Sequence, residues 1–426
     1  MFFSYSVASG QHFIRPPKAQ DWERFDYYAP RVRRFTNSRY ARCRERDLEH
    51  RYRAVLDLLS KLRTYLLPNV RECLLNFMEA GVPPSTPIYR LYLGPAVATI
   101  HITAHSYNDF HFRLLHSDLV SLCPNIQHLT VVPRLPSAVL LPHDRDPAFT
   151  LIPCLHNLRT INYPSMAQIP QNTITHLATQ SSLTVLKKIY VPSSDIGAFT
   201  ATSFSSLKEL HLRTDDWSSA AQILSSLSCK FTSLSVECLE NSEPLPAIRS
   251  VFETLFSSSR TLSTILLESR KSTVDALDVV GSEVLDIIRP LLSCKRLQAI
   301  AIGLRFLEAL DDSWLLKAVN AWPSLESLNL LHAGLHCVPR SPKMTLNGLI
   351  SLIRDFPRIQ QIHLPLSLYD AHISLFNYIA TGHIRRLELA YPVVQKGTLD
   401  GLNLWLVFPK LLSYRSSHTI QLVIEL

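Results

Sequence analysis

Glycine is scarce in this chain, 11 in 426 residues against 27 prolines. Doubly wound nucleotide-binding enzymes need glycine at tight turns and where backbone approaches phosphate, so the shortage weighs against that class. None of the phosphate-loop, dinucleotide-binding or serine-nucleophile glycine motifs occurs. The eight cysteines (43, 73, 123, 154, 229, 238, 294, 337) never form C-x-x-C and mostly lie among apolar residues. That is the pattern of buried thiols in a reducing compartment, and it argues against a disulfide scaffold or a zinc site. No run reaches the roughly 18 apolar residues of a membrane span. "MFFSYSVASG" lacks the basic start and long apolar core of a signal peptide. The expectation is a soluble chain of the cytoplasm or nucleus.

Charged residues make up only 18%, and the net charge of +8 is unevenly spread. Residues 1–80 hold fifteen Lys/Arg against nine Asp/Glu, so most of the excess lies there, chiefly from Arg31 to Arg53. A basic segment can bind phosphate. Here Glu45, Asp47 and Glu49 are threaded among the arginines, which favours a solvated helix face with near-neighbour pairs, and nucleic-acid binding is the lesser expectation.

What the chain does have is a recurring sentence. "CPNIQHLTVV" begins at Cys123, "LHNLRTINYP" at Leu155, "FSSLKELHLR" at Phe204 and "CKRLQAIAIG" at Cys294. "WPSLESLNL" begins at Trp322, "FPRIQQIHLP" at Phe356 and "GHIRRLELA" at Gly382. Each is a short cap followed by L-x-x-L-x-L, with Ile, Val or Phe allowed. Weaker copies start at Leu186, Phe231, Leu262 and Phe408. Taking the first apolar residue as anchor (126, 158, 186, 207, 231, 262, 297, 325, 359, 384, 411), the intervals run from 21 to 35 and average 28.5 residues. That period is the mark of leucine-rich repeats. Between anchors, "LNGLISLIRDF" (346–356) and "VLDIIRPLL" (284–292) space their apolar residues as helices do.

The predicted fold class is therefore α/β, a leucine-rich-repeat solenoid with a parallel sheet on the concave face. The last two apolar positions of each sentence face inward from a strand and the x residues face outward. No strand–helix unit buries its own apolar stripe, so neighbours share one core. Burial of each inward side chain contributes about 1.5–3 kcal/mol, and Leu328→Asp or Leu387→Asp should disrupt a whole rung. "APRVRRF" (29–35) and "LPNVRECLL" (67–75) carry the same sentence on Val32 and Val70, and residues 45–66 space apolar residues as a helix. "ATIHIT" (98–103) is a further strand and 81–87 a loop. The expected organisation is an Arg-rich, largely helical portion with the first degenerate repeats over 1–80, and the solenoid over 81–426.

The opening "DWERFDYYAPRVRRF" holds W-x-x-F-x-x-Y-A-P-R-V-R on Trp22, Phe25, Tyr28, Ala29, Pro30, Arg31, Val32 and Arg33. Followed by irregular leucine-rich repeats, it resembles the F-box/leucine-rich-repeat proteins of mushroom-forming fungi. The resemblance implies that repeats recruit a protein substrate, while an F-box docks on the adaptor subunit of a cullin-RING ubiquitin ligase. The twenty residues before Asp21 contain no F-box opening of the form L-P-x-E-[IL]. Adaptor binding is thus expected only with an F-box upstream, and a stand-alone repeat scaffold is the alternative.

No chemistry-bearing constellation stands out. His101, His105, His111 and His116 cluster, but "ATIHIT" reads as strand, where His101 and His105 do not share a helix face. Asp215/Asp216 and Asp311/Asp312 precede helices, where first-turn acids are expected. No catalytic residue, cofactor or metal is assigned. The outward residues between the second and third apolar positions remain: Thr130, Asn162, Tyr190, His211, Ser235, Leu266, Ala301, Asn329, His363 and Glu388. Two residues earlier lie the preceding outward positions, ending at Gln361 and Arg386. Residues 264–301 contribute apolar or small side chains and both flanks polar ones, a pattern that protein-binding surfaces show. The partner-contact candidates are Tyr190, His211, Asn329, His363, Arg386 and Glu388.

Overall fold

The computed structural model describes residues 19–36, 65–77, 88–104, 109–133, 148–164, 168–198, 204–227, 229–239, 245–257, 260–269, 281–304, 307, 309–331, 342–367, 384–392, 411–415 and 419–425. Of the helix expected over 45–66 only Tyr65 and Leu66 are described, and they are not helical; the rest of it, the loop 81–87 and His105 lie outside these residues. The chain forms two compact units, Met1–Tyr190 and Val191–Leu426.

Unit 1 starts with helix α1 (Ala19–Tyr28) and continues through strands β1 (Arg34–Thr36), β2 (Glu72–Phe77) and β3 (Thr99–Ala104). Helix α2 (Asp109–Leu122) leads to β4 (His128–Pro133), then β5 (Thr160–Asn162), helix α3 (Gln171–Thr179) and β6 (Val185–Val191). Each strand pairs parallel with the next in chain order. The rungs on Val32 and Val70 are real: Phe35 pairs with Cys73, and Cys73 with Ile100.

Unit 2 holds β7 (Glu209–Thr214), α4 (Trp217–Ser226), β8 (Ser233–Cys238), α5 (Leu245–Ser257) and β9 (Thr264–Ser269). It continues with α6 (Gly281–Ile288), β10 (Ala299–Gly303), α7 (Asp312–Ala321), β11 (Ser327–Asn329), α8 (Leu346–Asp355), β12 (Gln361–Pro365) and β13 (Arg386–Pro392). These seven strands also pair parallel in chain order. Parallel strands joined by helices, repeated on the apolar sentence, make the fold an α/β leucine-rich-repeat solenoid.

The repeat sentence has a direct physical reading. The anchors Ile126, Leu158, Leu297, Leu325 and Ile359 are at most 1% exposed. The cap three residues earlier is buried too, as in Phe204, Cys294, Trp322 and Phe356. Its carbonyl accepts the anchor's N–H and turns the chain into the strand (Leu207 to Phe204 3.0 Å, Leu325 to Trp322 3.1 Å). At each strand start one carbonyl accepts from two successive N–H groups of the next rung. Gln298 O, for example, takes Glu326 N at 2.8 Å and Ser327 N at 3.0 Å. The backbone donors of the rung entrance are satisfied with no side chain required, which leaves the x positions free to vary.

The helices bury their spaced apolar residues against these strands. In α5 these are Ile248, Val251, Phe252 and Leu255, and in α8 Leu349, Leu352 and Ile353, all at most 2% exposed. In each acidic pair expected at a helix start one member is the cap. Asp216 accepts Ser219 N at 2.7 Å and Asp311 accepts Trp314 N at 3.0 Å.

Two points differ from the sequence reading. The anchor of β6 is Leu183 and not Leu186, because Leu186 pairs with Ile161 and thus holds the second apolar position. Intervals of 25 and 24 residues then replace 28 and 21. Lys188 is the cause of the ambiguity. It takes a left-handed conformation (φ 57°) and adds a residue to the strand before Ile189 and Val191 turn inward again. The copy at Phe408 is also not a further parallel rung. Its strand β14 (Leu411–Arg415) pairs antiparallel with β15 (Thr419–Glu425), and β15 pairs antiparallel with β13. A three-residue connection cannot make a parallel crossover, so the chain reverses as a hairpin.

Candidate partner-binding face

The outward residues of unit 2 form rows that run across the strands. Cα register joins His211, Ser235, Leu266, Ala301, Asn329, His363 and Glu388 in an unbroken line over β7 to β13. Four of the six candidates lie on this line. Arg386 ends the neighbouring one, which runs Glu209, Ser233, Thr264, Ala299, Ser327, Gln361 and Arg386. With neighbouring strands about 4.8 Å apart, His211 and His363 are about 24 Å from each other, so they do not form one compact site. Tyr190 belongs to unit 1. The extra residue in β6 puts Lys187 beside Asn162 in the row where Tyr190 was expected, and Tyr190 faces outward one step further along.

The middle of the face is shallow. Ala299, Ala301 and Gly303 on β10 stand beside Thr264 and Leu266 on β9, with Ser327 and Asn329 on the other side. Small side chains here leave the sheet backbone close to the surface. Ser235 Oγ is buried without a hydrogen-bond partner among the described residues.

A third row was not legible beforehand. Arg213, Glu237 and Glu268 are register neighbours, followed by Gly303. Arg213 Nε donates to Glu237 Oε2 at 2.6 Å, and the two residues are 9% and 7% exposed. His211 Nε2 lies 4.0 Å from the same oxygen. In sequence these positions look like ordinary polar x residues. Only the in-register stacking of two rungs 24 residues apart reveals a buried pair. Such a pair lies at the edge of the face with the His211 ring beside it, and on its own it offers no catalytic arrangement.

On unit 1 the outward face carries Arg34, Glu72 and His101. Arg34 Nε is 3.2 Å and His101 Nε2 3.6 Å from Glu72 Oε1. Burial pulls the His101 imidazole below its ordinary pKa, with Glu72 opposing and Arg34 and His128 reinforcing the fall. The basic opening is thus partly neutralised: Arg34 pairs with Glu72, and the Arg31 guanidinium lies 4.0 Å from the centre of the Tyr27 ring. Among the described residues no group of three or more His, Cys, Asp or Glu side chains could hold a metal ion, and no helix is long and apolar enough to cross a membrane. Among the clustered histidines, His101 is on β3 while His111 and His116 are on α2.

No family model and no curated protein matches the chain. Among solved structures it is similar to the leucine-rich repeat-containing protein LegL7 from Legionella pneumophila, with a TM-score of 0.37 and 14% sequence identity over 67% of this chain and 97% of that one.

Proposed function

We propose that the chain is a protein-recognition module and that the β7–β13 face of unit 2 receives an extended segment of a protein partner. The observation that carries this reading is the unbroken Cα register of seven residues from His211 to Glu388, small or apolar at Leu266 and Ala301 and polar at His211, Asn329 and His363. An apolar middle with a polar rim suits desolvation of a partner side chain at the centre and hydrogen bonding at the edges. The row spans about 29 Å, the length of about nine extended residues.

Within this reading the finer assignment is the substrate-binding part of an F-box-type ubiquitin ligase receptor. It rests on the Trp22-to-Arg33 motif, and a stand-alone scaffold is its alternative.

Display of random dodecapeptides against the purified chain tests the face. Enriched peptides should lose binding with Ala301→Arg and keep it with Gln222→Arg on the exposed side of α4. Peptides indifferent to Ala301→Arg would remove the β7–β13 face from the reading. Calorimetry with the ligase adaptor subunit, using the chain alone and the chain with an F-box fused upstream, tests the ligase connection. Adaptor binding by the unaided chain, with the dodecapeptide site intact, supports a receptor; binding by the fused form only, which the added F-box supplies, leaves the chain a recognition module.

A further inference from the structure

Unit 1 contains a cysteine–histidine pair that the sheet face does not use. Cys154 ends the short helical turn Ile152–Cys154, and His116 projects from α2. Their Sγ and Nε2 atoms are 3.0 Å apart across 38 residues of chain. The sulfur also lies 3.9 Å from the Thr150 carbonyl oxygen.

Cys154 differs from the other thiols of the described residues in two independent ways. Cys73, Cys123, Cys229, Cys238 and Cys294 are buried, while Cys154 is part-exposed. Burial pushes the thiols of Cys73 and Cys123 up to about 12, and those of Cys229 and Cys294 up to about 11. Those four are held as inert thiols. Cys154 alone among the six combines access to solvent with an imidazole in hydrogen-bond reach. A nucleophile beside a base, with access for a reagent, is the arrangement in which a thiol reacts.

We propose that Cys154 is a thiol-modification site, activated by His116 for exchange with a small-molecule disulfide of the oxidised-glutathione class. As the Cys154 sulfur attacks one sulfur of the reagent, Nε2 of His116 accepts the thiol proton. A new S–S bond forms and the reagent's S–S bond breaks, its electron pair leaving on the distal sulfur. That sulfur takes the proton back from the imidazolium and departs as one free thiol. Cys154 is oxidised to the mixed disulfide and the reagent reduced, so no further oxidant is needed.

The test is the rate of modification of the full chain by oxidised glutathione, resolved by peptide mass mapping. Cys154 should react about tenfold or more faster than each of the five buried thiols. His116→Gln should slow Cys154 by about tenfold with an unchanged melting temperature, and substitution of Cys43 and Cys337 by Ser should leave the Cys154 rate unaltered. An equal rate in the His116→Gln chain would overturn the proposal. If that variant does not fold, the unmodified chain decides against an unstructured cysteine peptide. A Cys154 rate above that of the peptide supports the pairing, and one at or below it refutes activation.

Discussion

Gly348 sits in the first turn of α8, where helix propensity alone argues for alanine. Gly→Ala in a helix interior stabilises by about 1 kcal/mol. The surroundings reverse the sign. A Cβ on Gly348 would stand 2.1 Å from Asp312 Oδ1, 2.5 Å from its Cγ and 3.2 Å from its Cβ. The carboxylate would have to swing away, and it is not idle: it accepts Thr345 N at 2.8 Å and Thr345 Oγ1 at 2.5 Å, tying the start of α7 to the cap of α8. Hydrogen bonds to a charged group contribute about 1.5–3 kcal/mol each, and partial exposure favours the lower end. Loss of both, about 3 kcal/mol, outweighs the propensity gain, so Gly348→Ala should destabilise by about 2 kcal/mol. Urea unfolding followed by tryptophan fluorescence suits the measurement, because Trp314 and Trp322 stack edge to face at 5.7 Å on and just beyond α7. A double-mutant cycle sharpens it. In an Asp312→Ala background the two closest clashes and the bonds are gone while the tight Cβ contact at 3.2 Å stays, so Gly348→Ala should lose most of its penalty and change stability by less than about 1 kcal/mol. A stabilising Gly348→Ala in the native background would refute the reasoning.

Removal of Arg213 as Arg213→Ala leaves Glu237 buried without its guanidinium and should destabilise by about 3–5 kcal/mol, read as a fall in the urea midpoint. Lys188→Gly relieves a left-handed non-glycine residue at φ 57°. It should raise stability by about 1 kcal/mol, a gain that thermal unfolding detects. The Asp311 carboxyl is pushed up by burial, but hydrogen bonds from the Ser313 hydroxyl and the Trp314 N–H outweigh this and hold it below its ordinary value. A carboxylate depressed in the folded state stabilises above its unfolded pKa of about 4 and loses that contribution as pH falls through the folded value. Asp311→Ala should therefore destabilise by about 1 kcal/mol at pH 7, and the difference between the two chains should shrink towards pH 2.

Much of the repeat frame was legible in advance. Val32, Val70 and the anchors from Ile126 to Ile384 were read correctly apart from the rung at β6, and the helices at 284–292 and 346–356 lie where apolar spacing placed them, the first closing in a short 3-10 turn. The line of outward residues from His211 to His363 follows from the same alternation. The slip at β6 has a local cause: "LTVLKKIYV" contains two overlapping L-x-x-L frames, and only pairing with β5 chooses between them.

Alternation and period are properties of neighbours along the chain, since each inward residue is decided by the pleat of its own strand. They determined the repeat fold and the residues offered outward. The Arg213–Glu237 pair, the Asp312 carboxylate over Gly348, the Cys154–His116 contact and the antiparallel return of β15 are of another kind. Except for β15, each joins residues separated by 24 to 38 positions. Which of them meet depends on the length of each interval and the register of each strand pair, and the stacking of rungs decides both.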